Sequence, residues 1–256
     1  MIGPAEVRRI RALQQKKVRV ETQRFLVQGR KVVAELLGSA VTTEAIFATA
    51  DAAAWIRDAA SAQGVPVIEG LDHELDKLGT FESGNELVAV ALAPAAPPFA
   101  AVRADELILA LDGIHDPRNM GGLLRIADWF GITRLVCSPD CMEIYNPKVV
   151  QSSMGSVFRV AARYTPLVEE LAAHQAAGAH VLLADMDGTP VYEAALATPA
   201  VLVLGSESHG LSAAIRALGG GAEVISIPRV GKAESLNVAM AATALCAEFV
   251  RRLGRV

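Results

Sequence analysis

The stretch Ile227-Pro228-Arg229-Val230-Gly231-Lys232-Ala233-Glu234-Ser235-Leu236-Asn237-Val238 decides how this chain is read. It leaves an apolar, strand-like run at 223–228, crosses a loop at Gly231 and opens a helix at Ser235 and Asn237. Two earlier stretches are built the same way. They are Asn119-Met120-Gly121-Gly122-Leu123-Leu124-Arg125 and Leu204-Gly205-Ser206-Glu207-Ser208-His209-Gly210-Leu211. A strand that ends in a Gly-bearing loop and then a helix start is where an α/β sheet sets free backbone amides beside a ligand.

Outward from these junctions, the second half of the chain alternates strand and helix. The pattern predicts strands at 107–112, 134–137, 158–163, 180–185, 200–205 and 223–228. It predicts helices at 119–130, 146–154, 166–177, 211–218 and 234–252. Runs such as Leu107-Ile108-Leu109-Ala110-Leu111 and Val201-Leu202-Val203-Leu204 show little polar alternation, which suits strands covered on both faces. The expected fold is α/β with a mostly parallel sheet. Residues 1–93 read as a smaller α/β unit. It has a basic helix over 5–20, a strand at Phe25-Leu26-Val27, a helix over 31–37 ending at Gly38, and a helix opened by Asp51 and ended by Gly64. Pro94, Pro97 and Pro98 stiffen an Ala-rich stretch that carries almost no charge, so a linker is placed at 94–104 and a second domain at 105–256.

Composition narrows the function classes. A chain of 256 residues, 52% hydrophobic and 20% charged, can build a substantial core. No apolar run approaches the roughly 18 residues that span a bilayer, and no signal-peptide pattern opens the chain, so a cytoplasmic protein is expected. Cys137, Cys141 and Cys246 lack metal-ligand spacing and read as reduced thiols; no metal is expected. The net charge is −4, but residues 1–31 alone carry +7. The basic groups there are Arg8, Arg9, Arg11, Lys16, Lys17, Arg19, Arg24, Arg30 and Lys31. A basic end on an acidic body is a footprint of nucleic-acid contact, and a solvated helix face is the other reading.

The motifs exclude several chemistries. No Gly-x-Gly-x-x-Gly follows a strand. Gly205 and Gly210 have phosphate-loop spacing, but Leu211-Ser212 stands where Lys-Ser/Thr is required. No Gly-x-Ser-x-Gly elbow supports a hydrolase. Asn119 sits at a helix start, and Arg125 emerges within about 120° of it around the helix. Spacing alone also fits a capped helix with an exposed Arg. Glu207 beside free amides fits a capping role equally well. Ser235 and Asn237 are placed to cap, to bind a ligand, or both.

Taken together, the three stretches resemble the SpoU (TrmH-type) RNA ribose 2′-O-methyltransferases. Asn119 to Arg125 matches the first motif of that family. Gly205-x-Glu207-x-x-Gly210-Leu211 matches the second, and Ile227-Pro228-x-x-Gly231-x-x-x-Ser235-Leu236-Asn237-Val238 the third. The resemblance covers roughly 107–252, and residues 1–93 resemble, more loosely, the small RNA-binding domain that many members carry. It implies a C-terminal trefoil knot and a homodimer. It also implies transfer of a methyl group from S-adenosylmethionine to a ribose 2′-hydroxyl in structured RNA, with rRNA favoured over tRNA. The implied catalytic residues are Arg125, Asn119, Glu207 and Asn237. The implied cofactor-binding residues are Leu204, Gly205, Glu207, Gly210, Ile227, Ser235 and Leu236. RNA contact is expected from the nine basic groups of residues 1–31 and from Arg229 and Lys232. Arg125 is read either as the base or as a charged group fixing a phosphate, because a neutral guanidinium is costly. A catalytically silent RNA-binding or ribosome-assembly factor of the same fold is the alternative.

Overall fold

The computed structural model describes residues 2–80, 84–95 and 102–254. It falls into two compact units, residues 1–95 with 143–159, and 96–142 with 160–256. Most of the expected linker, 96–101, lies outside the described residues.

The first unit opens with α1 (Pro4–Ala12) and α2 (Lys16–Thr22), two helices where one was expected. The buried Arg19 guanidinium explains the break. It donates to the carbonyls of Leu13 (2.7 Å) and Gln14 (2.9 Å), which the end of α1 leaves without intrahelical partners. There follow β1 (Arg24–Gln28), α3 (Arg30–Leu37), β2 (Thr43–Ala48), α4 (Ala50–Ala62), β3 (Val67–Glu69), α5 (Asp72–Leu78) and β4 (Leu87–Leu92). The strands form a sheet of order β1-β4-β2-β3, with β4 antiparallel to both its neighbours and β3 parallel to β2. Asp51 does not cap α4. Thr49 holds that position, and Asp51 sits in the first turn paired with Arg30. The short α5 was not anticipated; its Glu74 carboxylate accepts the Leu71 amide at 3.0 Å, fixing its first turn.

The second unit contains β5 (Leu107–Asp112), α6 (Pro117–Trp129) and β6 (Arg134–Cys137). After β6 the chain supplies residues 143–159 to the first unit, including α7 (Pro147–Ser153). That segment lies inside the stretch assigned from sequence to the second domain. Its apolar anchor is Tyr145, stacked on Phe25 of β1 with ring centroids 4.5 Å apart. The second unit resumes with β7 (Ala161–Tyr164), α8 (Leu167–Ala176), β8 (His180–Pro190), β9 (Ala200–Gly205), α9 (Ala213–Arg216), β10 (Glu223–Ser226) and α10 (Val238–Arg252).

Its six strands are all parallel, in the order β10-β8-β9-β5-β6-β7. Ile108, Ala110, Val136, Val181, Val201 and Val203 face a core closed by Leu167 and Leu171 of α8 and by Leu211 and Ile215. The alternate residues Leu109, Leu111, Leu135, Leu202 and Leu204 are equally buried, and on α6 and α10, which pack together, Leu123, Leu124 and Phe249 are buried as well. Burial of both residue sets is why these strands lack polar alternation. Three elements depart from expectation, the first being the strand expected at 158–163, which begins only at Ala161 after a 3-10 turn at Ser156–Phe158. Residues 184–188 of β8 loop out of its ladder with β10, and Gly188 passes the Val224–Ile225 backbone too closely for any side chain. The last helix begins at Val238 rather than 234, because Asn237 is its cap; 227–236 is therefore left as an open loop.

Candidate active site

Three loops converge at the carboxyl ends of the central strands, where order reverses between β9, β5 and β6. Asp112 and Gly205, the last residues of β5 and β9, are register partners. Each closes its strand in a different way. The buried Asp112 carboxylate accepts the Ser212 amide at 2.6 Å, which pins the chain just beyond the second motif. At Gly205 a Cβ would lie 2.2–2.4 Å from backbone atoms of Gly210 and Leu211. No residue but glycine fits there. The five-residue turn is closed by reciprocal bonds, Ser206 N to Gly210 O at 3.0 Å and Gly210 N to Ser206 O at 2.9 Å. Gly210 has φ +64°, in the left-handed region.

The side chain of Asp116, not Asn119, caps α6. It accepts the amides of Arg118 (2.7 Å) and Asn119 (3.1 Å), with Pro117 preset at the first helical position. The Asp-Pro pair was visible in the sequence and carried that signal. Asn119, in the first turn, is thereby free for another task. Asn237 caps α10, its Oδ1 accepting the amides of Ala239 (3.0 Å) and Met240 (3.3 Å). Its Nδ2 donates to Asn119 Oδ1 at 3.0 Å and to a carboxylate oxygen of Glu207. One amide therefore ties together the first, second and third motifs, residues far apart in sequence. Gly122 lets α10 come close, since a Cβ there would lie 3.3 Å from that of Ala239.

The model of the SpoU rRNA methylase family matches residues 106–247. The chain belongs to the SpoU rRNA methylase family. Residues 5–89 match an MRM3-like substrate binding domain. A 23S rRNA (uridine(2479)-2′-O)-methyltransferase of Streptomyces viridochromogenes is 36% identical over 179 residues, which make up 67% of this chain and 62% of that protein. The solved structure of the SpoU methyltransferase AviRb from the same organism, in complex with AdoMet, is 30% identical with a TM-score of 0.86, covering 98% of each chain. An AdoMet-bound rRNA methyltransferase from Sinorhizobium meliloti is 26% identical with a TM-score of 0.85, covering 98% of this chain and 95% of that one.

Of the residues expected from the SpoU motifs, Asn119, Glu207 and Asn237 meet directly. Arg125 lies exposed two turns along α6, and its side chain makes no hydrogen bond or ion pair among the described residues. Leu204 is buried and Ile227 half-buried, while Ser235 and Leu236 stand exposed on the 227–236 loop. Arg229 and Lys232 are exposed on the same loop. Sequence reasoning missed Asp112 and the pair that flanks the loop exit. Arg216 donates from Nε to Leu211 O at 3.0 Å, and its Nη1 meets Asp185 at 2.6 Å.

The basic N-terminal group is less uniform than its charge suggested. Arg19, expected to meet RNA, is instead buried. Its side chain is 3% exposed and bound to Glu143 at 2.5 Å, so it holds this SpoU chain's first unit together and is buried away from RNA. Arg9 is engaged by Glu6 and Glu44, Arg24 by Glu44, Arg30 by Asp51, and Lys17 more loosely by Glu21. Arg8, Arg11, Lys16 and Lys31 are exposed with no ion pair among the described residues.

Beside the site, Cys137 and Cys141 form a buried thiol pair at the end of β6. The hydrogen bond with Cys137 draws the Cys141 thiol down to about 7 against the opposing effect of burial, and the Ser138 hydroxyl and Ile114 amide add to it. No group of three or more His, Cys, Asp or Glu placed to hold a metal occurs among the described residues. No helix among them is long and apolar enough to cross a membrane.

Proposed function

We propose that this protein transfers a methyl group from S-adenosylmethionine to a ribose 2′-hydroxyl of ribosomal RNA. The observation that carries the reading is the Asn119–Asn237–Glu207 cluster, which joins all three family motifs at the carboxyl edge of the parallel sheet.

The residues present fit the cofactor. Gly205 presents bare backbone that no side chain can cover, and the 227–236 loop offers exposed Leu236, half-buried Ile227 and the Ser235 hydroxyl within one chain segment. Leu204, Gly205, Glu207, Gly210, Ile227, Ser235 and Leu236 would hold S-adenosylmethionine there. Bound, it supplies a methyl on a sulfonium, a leaving group good enough that the protein's task is alignment and proton removal. Arg125, whose side chain has no partner among the described residues, engages the substrate. A charged guanidinium suits an RNA phosphate and the developing charge on the ribose oxygen. Arg8, Arg11, Lys16 and Lys31 on the first unit, with Arg229 and Lys232, supply sequence-independent phosphate contacts.

The acceptor RNA reaches the first unit, which matches a substrate-binding domain, and the reaction takes place with the ribosome's RNA in the cytoplasm. Two copies act together. Trp129 at the end of α6 is 84% exposed and Met240 on α10 66%, which leaves apolar surface on both helices that frame the site. The chain from β10 to α10 is threaded as a trefoil knot, a topology that fits β8 lying between β10 and β9.

The test is transfer of labelled methyl from S-adenosylmethionine to separated rRNA and tRNA, with nucleoside digestion and an Arg125→Ala control. A 2′-O-methylated nucleoside that forms on rRNA and needs Arg125 is the expected result. Cofactor binding without transfer to naked RNA points to a precursor or assembly intermediate as substrate. No transfer and no cofactor binding leaves a silent RNA-binding factor.

A further inference from the structure

Hydrogen-bond polarity in the three-residue cluster is fixed by its anchor. Asn237 Oδ1 is held by two backbone amides, at 3.0 and 3.3 Å, and a backbone amide can only donate. The oxygen of that side chain must therefore face α10, and its nitrogen must face the site. An amide nitrogen can only donate as well. Its two hydrogens go to Glu207 and to Asn119, so the atom of Asn119 at 3.0 Å is its oxygen. Asn119 is thus oriented in turn. Its oxygen is turned inward, and its NH2 group makes no hydrogen bond to any described residue, although the side chain is only half exposed.

Asn119 is not alone in this. Arg118 and Arg125, on the same helix, are exposed, and neither side chain has a partner among the described residues. The helix α6 therefore presents unpaired donors from three side chains: Asn119 in the first turn, where the three motifs meet, and Arg118 and Arg125 together on a face about 100–120° round from it. A set of donors with no acceptor complements a polyanion.

We propose that Asn119 is a donor to the RNA. Its Nδ2 hydrogens bind an oxygen of the target nucleotide, the ribose 2′-oxygen or the adjacent phosphate, in an orientation set by Asn237 and Glu207. This rests on the proposed methyl transfer.

The test is Asn119→Asp. The substitution keeps the size of the side chain and an oxygen to accept from Asn237, but replaces the donor with an anion. Asn119→Ser keeps a hydroxyl donor and guards against a folding defect in the first variant. Steady-state methyl transfer to rRNA is measured with S-adenosylmethionine affinity by calorimetry and Tm for each. For Asn119→Asp the expected result is a fall of about 100-fold in kcat/KM for RNA, in the range for loss of one placed donor. Cofactor affinity stays within threefold, and Asn119→Ser recovers part of the loss. Transfer by Asn119→Asp within threefold of the wild type overturns the proposal. So does a loss of cofactor affinity matching the loss of transfer, since that assigns the donor to the cofactor. A wild-type protein that binds cofactor but methylates no RNA refutes the parent reading instead. The two failures are therefore separable.

Discussion

Asn237 has two duties, and two substitutions separate them. Its oxygen caps the 15-residue helix α10, and its nitrogen joins Asn119 to Glu207. Asn237→Ala removes both. Loss of an N-cap costs about 1 kcal/mol, which lowers Tm by about 2–4 °C in a chain of this size. Asn237→Asp keeps the cap, because a carboxylate accepts the Ala239 and Met240 amides as well as an amide oxygen does. A negative charge at a helix N-terminus adds about 0.3–1 kcal/mol. Against this, the new carboxylate faces that of Glu207. Two unit charges about 4 Å apart repel by about 1 kcal/mol in water, and more where solvent is excluded. Glu207 is exposed, so the low end applies. The terms nearly cancel, and Asn237→Asp should melt within about 2 °C of the wild type.

Activity should divide the other way. Both variants lose the donor that sets Asn119 and Glu207, and misplacement of a catalytic group by about 1 Å costs roughly 100-fold. The assay is methyl transfer at saturating cofactor and RNA, beside thermal melts of the same samples. The expected result is kcat down by about 100-fold in both, with Tm lowered clearly only in Asn237→Ala. An Asn237→Asp enzyme that melts normally and turns over within threefold of the wild type would refute the reasoning, because the cluster would then be no more than a helix cap.

Other outcomes follow from the same structure. Gly205→Ala should destabilise the fold by about 1–3 kcal/mol in chemical denaturation and weaken S-adenosylmethionine binding at least tenfold in calorimetry, since its Cβ lands on the Gly210–Leu211 backbone. Arg19→Met strands the part-buried Glu143 carboxylate and should cost about 3 kcal/mol in chemical denaturation, the low end for breaking a buried pair. Lys16→Glu and Lys31→Glu should leave Tm nearly unchanged and flatten the salt dependence of RNA binding, the reverse pattern. His174, whose imidazole is pushed below its ordinary range chiefly by burial, is neutral in the fold. The unfolded chain takes up that proton first, so stability is lost as pH falls below about 6.5; His174→Gln should flatten the Tm profile between pH 7 and 5. Glu248 is held near 2 by hydrogen bonds from Arg251 and Arg252. Its contribution is complete above the ordinary carboxylate range and is lost as pH falls from there towards 2; Glu248→Gln should remove that acid limb of the Tm profile.

How much of this was legible in the sequence depended on the range of each interaction. The parallel sheet was legible because covered strands leave unbroken apolar runs, and the site's position was legible because glycine and helix-start residues mark strand ends. Capping chemistry is local too, yet it left the role of Asn119 open and misplaced the cap at Asp51. The sequence offered several short polar residues at each helix start, and only the backbone geometry selects Asp116 and Thr49. Charge was the poorest guide. Nine basic residues in one stretch looked like one surface. Four of them find acidic partners elsewhere in the chain, Glu44 for Arg9 and Arg24, Asp51 for Arg30 and Glu143 for Arg19. Pairing at a sequence distance of up to 124 residues leaves no periodicity to read.

The same limit applies at the site, in a more instructive form. The family resemblance marked Asn119, Glu207 and Asn237 as a group but could not say which atom of each faces which neighbour. That follows only from one long-range fact, the two backbone amides on Asn237 Oδ1, which dictate every donor and acceptor beyond them. In a cluster with one fixed end, polarity propagates outward by exclusion, because an atom that is already accepting from an N–H cannot be the nitrogen. The role of Asn119 toward its substrate is therefore set about one helix start away from Asn119 itself. A substitution at Asn237 that preserves shape but reverses polarity should be as damaging to transfer as one at Asn119.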